Sequence, residues 1–324
     1  MHSDLSKELY SLTEEIINGR RLSKDDDISV LKSASVEDLS ACADRLRSHF
    51  SGDKVDLCSI ISGKNGHCGE NCRFCAQSAH NHTGCEVYGL MDYEDILEAA
   101  LSNEKEGVDR FAVVISGKSP SDEDFEKIIG IYERLRSKLK ISLCASLGFL
   151  TSEQFERLHK AGVTSYHNNI ETSERYFDKI CTTHTFRDKI ENIRRAQAAG
   201  LSVCSGGIIG MGETMDDRID MAFTLSGLGI ASIPINTLIP IPGTPLENLP
   251  VLTSDEILRT IAIFRFINPE SNIRLGAGRK LIPGNGRAAF TGGASATITG
   301  NMLTTSGSTI KSDIEMLTEM RRLS

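Results

Sequence analysis

From Val55 onward the chain alternates short apolar runs with amphipathic stretches, and that alternation narrows the fold more than any other feature. Eight runs have strand length and strand composition: Lys54–Ser62, Arg110–Ser116, Ile141–Leu147, Ser165–Ile170, Ser202–Ile209, Ser232–Ile239, Ile273–Gly276 and Ala296–Thr299. Most are separated by helical patterns, such as Tyr93–Glu106, Ser121–Leu139, Ser152–Lys160, Phe186–Ala199 and Ser254–Phe266. Strands alternating with helices, with no low-complexity linker, build a parallel sheet. Eight such units favour a closed (β/α)8 barrel of the TIM type over an open sheet, and 324 residues suit one such unit. The first 50 residues read differently. Leu5, Leu9, Leu12, Ile16 and Ile17 recur at helical spacing, and Ser35-Val-Glu-Asp38 reads as a capping box opening a helix through Arg47. The organisation expected is an N-terminal helical extension over 1–50 and a barrel over 51–324. The barrel part ends in a polar loop from Thr304 and a helix at Asp313–Arg322.

Charge and cysteine usage bound the function. Net charge is −8, from 36 basic and 44 acidic residues, with no basic tract, so nucleic acid is disfavoured as a partner. No apolar run approaches membrane-spanning length, and the N-terminus is polar and acidic. A cytoplasmic enzyme is expected. Nine cysteines, an odd number in such a chain, argue against a disulfide framework and for metal or redox roles.

Three of the nine stand in Cys68-Gly-Glu-Asn-Cys72-Arg-Phe-Cys75, a C-x3-C-x2-C run with an aromatic residue before the last cysteine. The segment is too polar to be core. Closed zinc sites want four ligands, usually as two separated pairs, and no second pair follows. Three thiolates in one loop hold three irons of a 4Fe–4S cluster and leave the fourth open. The spacing is identified as the signature of the radical S-adenosylmethionine superfamily, in which the open iron takes the amino and carboxylate groups of the methionine moiety. A barrel carries its chemistry at the C-terminal ends of its strands, and this loop follows the first. After the fifth comes Gly206-Gly-Ile208-Ile-Gly210-Met-Gly-Glu213, where glycine would let a cofactor lie against the backbone.

A longer succession of strand ends points further. It comprises Tyr166-His-Asn-Asn-Ile-Glu-Thr-Ser173, Thr182-Thr-His-Thr-Phe186, Val203-Cys-Ser-Gly-Gly-Ile208, Ile233-Pro-Ile-Asn236, Gly243-Thr-Pro-Leu246, Ile273-Arg-Leu-Gly-Ala-Gly-Arg279, Gly293-Ala and Leu303-Thr-Thr305. In these runs the chain resembles the biotin synthase family from about Val55 to Thr305. The resemblance implies sulfur insertion into dethiobiotin: two adenosylmethionines are cleaved in turn, and the sulfur comes from a second, auxiliary iron–sulfur cluster. It also implies a reducing electron donor of the flavodoxin or ferredoxin type, and a homodimer. The alternatives are another radical enzyme on the same barrel, such as a hydrogenase maturase, a methylornithine synthase or a methylthio-transferase, and a non-catalytic iron–sulfur carrier.

By the same resemblance, Cys68, Cys72 and Cys75 hold the radical cluster. Phe74 and Ile239 sandwich the adenine, Asn169 and Glu171 hold the adenosylmethionine, and Lys189 faces its carboxylate. Asn236 contacts the ureido ring of dethiobiotin, and His167 stands where another asparagine would be. The better-known form of the family binds its auxiliary cluster with three cysteines and an arginine. Cys144, Cys204 and Arg274 match three of these, but the fourth position is Ala112, and an alanine cannot bind iron. Cys58 on the first strand is an added thiol. Inward side chains of a barrel form layers supplied by alternate strands. Cys58, Cys144, Cys204 and Arg274 are therefore expected in one layer around a rebuilt cluster, with Arg274 a ligand or a charged donor. Three thiolates suit a four-iron cluster with a free site better than a 2Fe–2S rhombus. Cys85 is the competing third ligand, Cys42 reads as helix packing, and Cys181 as a helix-end residue near the mouth.

Overall fold

The computed structural model describes residues 2–300 and 308–323, so the Leu303-Thr-Thr305 run and the start of the polar loop at Thr304 lie outside the described residues. The strands are β1 (Asp56–Lys64), β2 (Arg110–Ile115), β3 (Ser142–Ser146), β4 (Val163–His167), β5 (Ser202–Cys204), β6 (Gly207–Ile209), β7 (Ser232–Thr237), β8 (Asn272–Leu275) and β9 (Ala296–Thr299). Every pairing is parallel, in the order β5-β4-β3-β2-β1-β9-β8-β7-β6, and β7 also pairs with β5. The sheet therefore closes. It is the expected eight-stranded barrel with helices between its strands.

The fifth barrel strand, expected as one run, is broken into β5 and β6. Cys204 pairs with Ser232 and Gly207 with Ile235, which sets Gly206 opposite Pro234. Proline has no N–H to give the ladder. A Cβ at Gly206 would lie 1.9 Å from the Pro234 carbonyl oxygen, and one at Gly207 would lie 2.3 Å from that of Glu171. Gly206 and Gly207 thus serve close approach of neighbouring backbones. Glu213 at the end of that motif clamps the turn. Its carboxylate accepts from the Gly210 and Met211 amides, both at 2.7 Å, and pairs with Arg218 at 2.7 Å.

The helices at Tyr93–Glu106 and Ser152–Lys160 match the expected bounds. The helix Met215–Gly227 was not anticipated. In the N-terminal part, helices span His2–Ile17, Ser29–Ser33 and Val36–Ser51. The last packs on the first and on Ser254–Ile267, and Leu9, Ile16, Leu39 and Leu46 join the hydrophobic core of the barrel. Ser35 caps its helix by accepting from the Asp38 amide at 3.1 Å. The Asp38 carboxylate takes the Ser6 hydroxyl instead, at 2.8 Å. No described helix is long and apolar enough to cross a membrane.

The last helix spans Ile310–Glu319, three residues earlier than expected, because Thr309 caps it by accepting from the Ser312 amide. That shift places Asp313 inside the fold. Its carboxylate pairs with Arg279, and it accepts from Thr299 Oγ1 at 2.6 Å, while Arg279 also donates to Thr297 Oγ1 at 2.9 Å. Removing one partner of a buried pair leaves the other charge uncompensated. Asp313→Ala is expected to cost about 3–5 kcal/mol, read as a lowered urea midpoint; an unchanged midpoint would refute this role.

Candidate active site

One cavity of about 390 Å³ fills the barrel, and it is lined by residues from both its floor and its mouth. On the floor are Cys58 from β1, Cys144 from β3, Cys204 at the end of β5 and Arg274 from β8. The alternate-strand layer argued from sequence places these four in the same cavity. Ala112 also lines it, between Ile60 and Cys144 in register, and offers no donor there. Cys85 does not line it. Its thiol accepts from Asn65 at 3.5 Å, in the loop that follows β1.

The floor thiols lie in a positive field. The neighbouring Cys144 thiol pushes that of Cys58 well up, and Cys58 in turn holds that of Cys144 below its usual value, while Cys58 Sγ donates to the Ser59 carbonyl at 3.7 Å. Burial works against a Cys204 thiolate, but the hydrogen bond and charge of His167, with Arg274 beyond, bring its thiol down to about 7. His167 faces Cys204 across the β4–β5 pairing. The structure therefore makes it the partner of a floor thiol. Arg274 is 3% exposed. It pairs with Asp56 and donates to Ser232 Oγ at 3.1 Å and to the Thr297 carbonyl at 3.0 Å. Arg110 holds the other Asp56 oxygen at 2.8 Å. Burial opposes the charge on Arg274, yet Asp56 and the thiols raise its pKa, so it remains a guanidinium.

At the mouth, Phe74, Cys75, Asn169, Glu171, Asn236 and Ile239 line the same cavity. Glu171 has φ +71°, a left-handed conformation uncommon for a residue with a side chain. Its Oε2 is buried with no hydrogen-bond partner, and burial raises its carboxyl. Asn169 Oδ1 accepts from the Gly206 amide at 3.1 Å. Asn236 is held at both ends, donating to the Gly207 carbonyl at 3.2 Å and accepting from the Ala277 amide at 3.0 Å. A side-chain amide can make four hydrogen bonds, so one donor and one acceptor direction remain. Lys189 lies outside the lining. It is buried, its Nζ stands over the Phe149 ring at 5.3 Å, and it makes no ion pair among the described residues.

The cysteine loop is clamped by its own backbone. Cys68 exchanges hydrogen bonds with Gln77 and Ala79, at 3.0 and 2.8 Å, and Asn81 Nδ2 donates to the carbonyls of Cys75 and Cys72, at 2.8 and 3.2 Å. The His82 amide ties the loop to the Gly243 carbonyl across the mouth at 3.0 Å. Burial pushes the Cys75 thiol up to about 11. Sequence reasoning missed a neighbour. Cys181, 109 residues after Cys72, brings its sulfur to 3.8 Å from that of Cys72. The shared hydrogen bond drives the Cys72 thiol far up and that of Cys181 down to about 3.

Residues 65–225 match the Radical SAM superfamily, and residues 234–321 match the Biotin and Thiamin Synthesis associated domain. The biotin synthase of Alkaliphilus metalliredigens (strain QYMF) is 53% identical over 97% of this chain and 98% of its own. That of Clostridium beijerinckii is 52% identical over 95% and 98%. The chain belongs to the biotin synthase family. It is a radical S-adenosylmethionine enzyme, and the biotin synthase match, unlike the superfamily match, extends through the N-terminal helices. Among solved structures, methylornithine synthase superposes with a TM-score of 0.83 at 20% identity, covering 96% of both chains. The FeFe-hydrogenase maturase HydG from Carboxydothermus hydrogenoformans gives 0.75 at 17%, covering 99% of this chain and 84% of its own. These two share the fold.

Membership of the superfamily implies a 4Fe–4S cluster and S-adenosylmethionine, and the residues fit both. Cys75 turns into the cavity from a clamped loop beside Phe74. The unpartnered Glu171 oxygen is an acceptor awaiting a donor such as a ribose hydroxyl. On the floor, three thiols facing two guanidinium groups form a donor set suited to an anionic iron–sulfur cluster.

Proposed function

We propose that this chain makes biotin by inserting sulfur into dethiobiotin inside the barrel cavity. The observation that carries the reading is that Cys75 of the cysteine loop and the three floor thiols line one barrel cavity. When bound, the 4Fe–4S cluster with S-adenosylmethionine supplies a carbon-centred radical, and an auxiliary cluster supplies sulfur. The chain's own residues then position and shield. Cys68, Cys72 and Cys75 bind the radical cluster. Phe74 and Ile239 bracket the adenine, Asn169 and Glu171 take the sugar hydroxyls, and Lys189 answers the methionine carboxylate. The remaining donor and acceptor of Asn236 suit the ureido group of dethiobiotin. Cys58, Cys144 and Cys204 bind the auxiliary cluster. Arg274, kept cationic by Asp56, serves as a hydrogen-bond donor beside it. The barrel wall keeps out water and stray hydrogen donors that would quench the radical.

The test is an anaerobic assay with dethiobiotin, S-adenosylmethionine and a reductant of the flavodoxin or ferredoxin class. Biotin should form with roughly two 5′-deoxyadenosines for each, one per C–H bond broken. Cleavage of S-adenosylmethionine that never alters dethiobiotin would transfer the chain to a maturase-like reaction. Lys189 gives a finer test. A charge-assisted hydrogen bond contributes about 1.5–3 kcal/mol, so Lys189→Met should raise the KM for S-adenosylmethionine roughly 10–100-fold. An unchanged KM would remove Lys189 from the site.

A further inference from the structure

Beside the cysteine loop, but outside the cavity, lie two side chains that the reaction above does not use, Cys181 and His184, next to one that it does, Cys72. Cys72, Cys181 and His184 bring one ligand atom each to within 4.8 Å of one another. Cys181 and His184 are 3% and 6% exposed. The sulfurs of Cys72 and Cys181 are 3.8 Å apart, and Cys181 Sγ is 3.8 Å from His184 Nε2 and 3.4 Å from Nδ1. Zinc binds thiolate at about 2.3 Å and imidazole at about 2.0 Å. Tetrahedral angles then set two sulfurs about 3.8 Å apart and a sulfur and a nitrogen about 3.5 Å apart. The sulfur–sulfur separation matches an edge of such a tetrahedron, while Cys181 Sγ lies nearer the Nδ1 that Glu70 holds than Nε2, so the His184 ring must turn for Nε2 to face an ion shared with the two thiols.

The surroundings are also those of a metal site. His184 Nδ1 is hydrogen-bonded to Glu70 Oε2, which leaves Nε2 free as the ligand atom. Glu70 accepts from Thr183 Oγ1 as well, at 2.8 Å. A carboxylate behind a ligating imidazole fixes its tautomer and orientation and raises its basicity. Phe149 and Phe177 pack edge-on against the ring, with centroids at 5.2 and 5.6 Å, and supply an apolar shell.

We propose that the cluster-free protein binds one thiophilic divalent ion, Zn²⁺ in kind, through Cys72, Cys181 and His184, and that this ion competes with assembly of the radical cluster. Binding forms two metal–sulfur bonds and one metal–nitrogen bond, releases the thiol protons to solvent, and leaves a fourth position for water. No electron moves. The competition rests on Cys72 being a radical-cluster ligand, as proposed above; the ion site itself does not.

The experiment titrates the full, iron-free chain anaerobically with Co²⁺ and displaces it with Zn²⁺ against a chelator. A variant with Cys58, Cys144 and Cys204 all changed to serine is run in parallel, so that the floor thiols cannot contribute. One Co²⁺ should bind with sulfur charge-transfer and tetrahedral absorption bands. Glu70→Gln should keep the bands and weaken binding roughly 10–100-fold, and Cys181→Ser should weaken it further and dim the charge-transfer band. One equivalent of Zn²⁺ should slow uptake of iron at the cysteine loop in the wild type but not in Cys181→Ala. The site is overturned if Cys181→Ser binds Co²⁺ with unchanged affinity and bands, or if Cys75→Ala loses the ion while Cys181→Ser keeps it. Tight Zn²⁺ binding with undiminished cluster assembly would overturn the competition alone, and would point back to the assignment of Cys72.

Discussion

Replacing Cys75 with alanine is expected to reduce 5′-deoxyadenosine formation below detection while the barrel still folds. Of the three loop thiols it is the one lining the cavity, and burial holds it protonated until a metal takes it. A site-differentiated cluster needs three protein thiolates and one open iron, and two thiolates leave two irons exposed to exchange. Cys68→Ala and Cys72→Ala should behave alike. The loop is held by backbone bonds at Cys68 and by Asn81, not by the thiols themselves, so a folding defect is not the expected cause of the loss. Near-normal S-adenosylmethionine cleavage by any of the three variants would remove that residue from the radical cluster.

Cys58→Ala is expected to lower total iron and block biotin formation while 5′-deoxyadenosine formation continues. Cys58 and Cys144 line the same cavity as Cys204 and Arg274. A thiolate buried in a barrel is poorly solvated unless a cation or metal meets it. Losing one of three such ligands leaves an auxiliary cluster without an anchor, and β1 and β2 offer no other thiol, since their remaining cavity residues are Ile60, Arg110, Ala112 and Val114. Full iron content and full sulfur insertion in Cys58→Ala, with both lost in Cys85→Ala, would exchange the two assignments. The position of Cys85 outside the cavity argues for the first outcome.

The barrel was legible because its signal is periodic and repeated eight times. Features that depend on a neighbour distant in sequence were not. The break between β5 and β6 follows from Pro234 facing Gly206, a pairing that neither strand's own pattern reveals. The helix Met215–Gly227 buries residues around most of its circumference, so its stripe is weak, although Thr214 and Asp217 carried the signature of its capping box. The sequence pattern starts a helix at Asp313, yet that residue lies inside one that begins earlier, and it reaches Arg279. His167 lines the cavity, as a substrate contact would, but its neighbour Cys204 is visible only in the β4–β5 register. Cys181 reads from sequence as a helix-end residue near the mouth, and its contact with Cys72, 109 positions away, exists only in the fold.

The central claim is that the radical made at the mouth and the sulfur held on the floor meet within one cavity. A single-turnover reaction tests it most directly. The auxiliary cluster is assembled with heavy-isotope sulfide, free sulfide is removed, and the biotin formed from unlabelled dethiobiotin is weighed by mass spectrometry. Biotin from the wild-type chain should carry the heavy sulfur, and the Cys58→Ala chain should yield 5′-deoxyadenosine but no labelled biotin. Unlabelled biotin from the wild type, or labelled biotin from Cys58→Ala in wild-type amounts, would contradict the account.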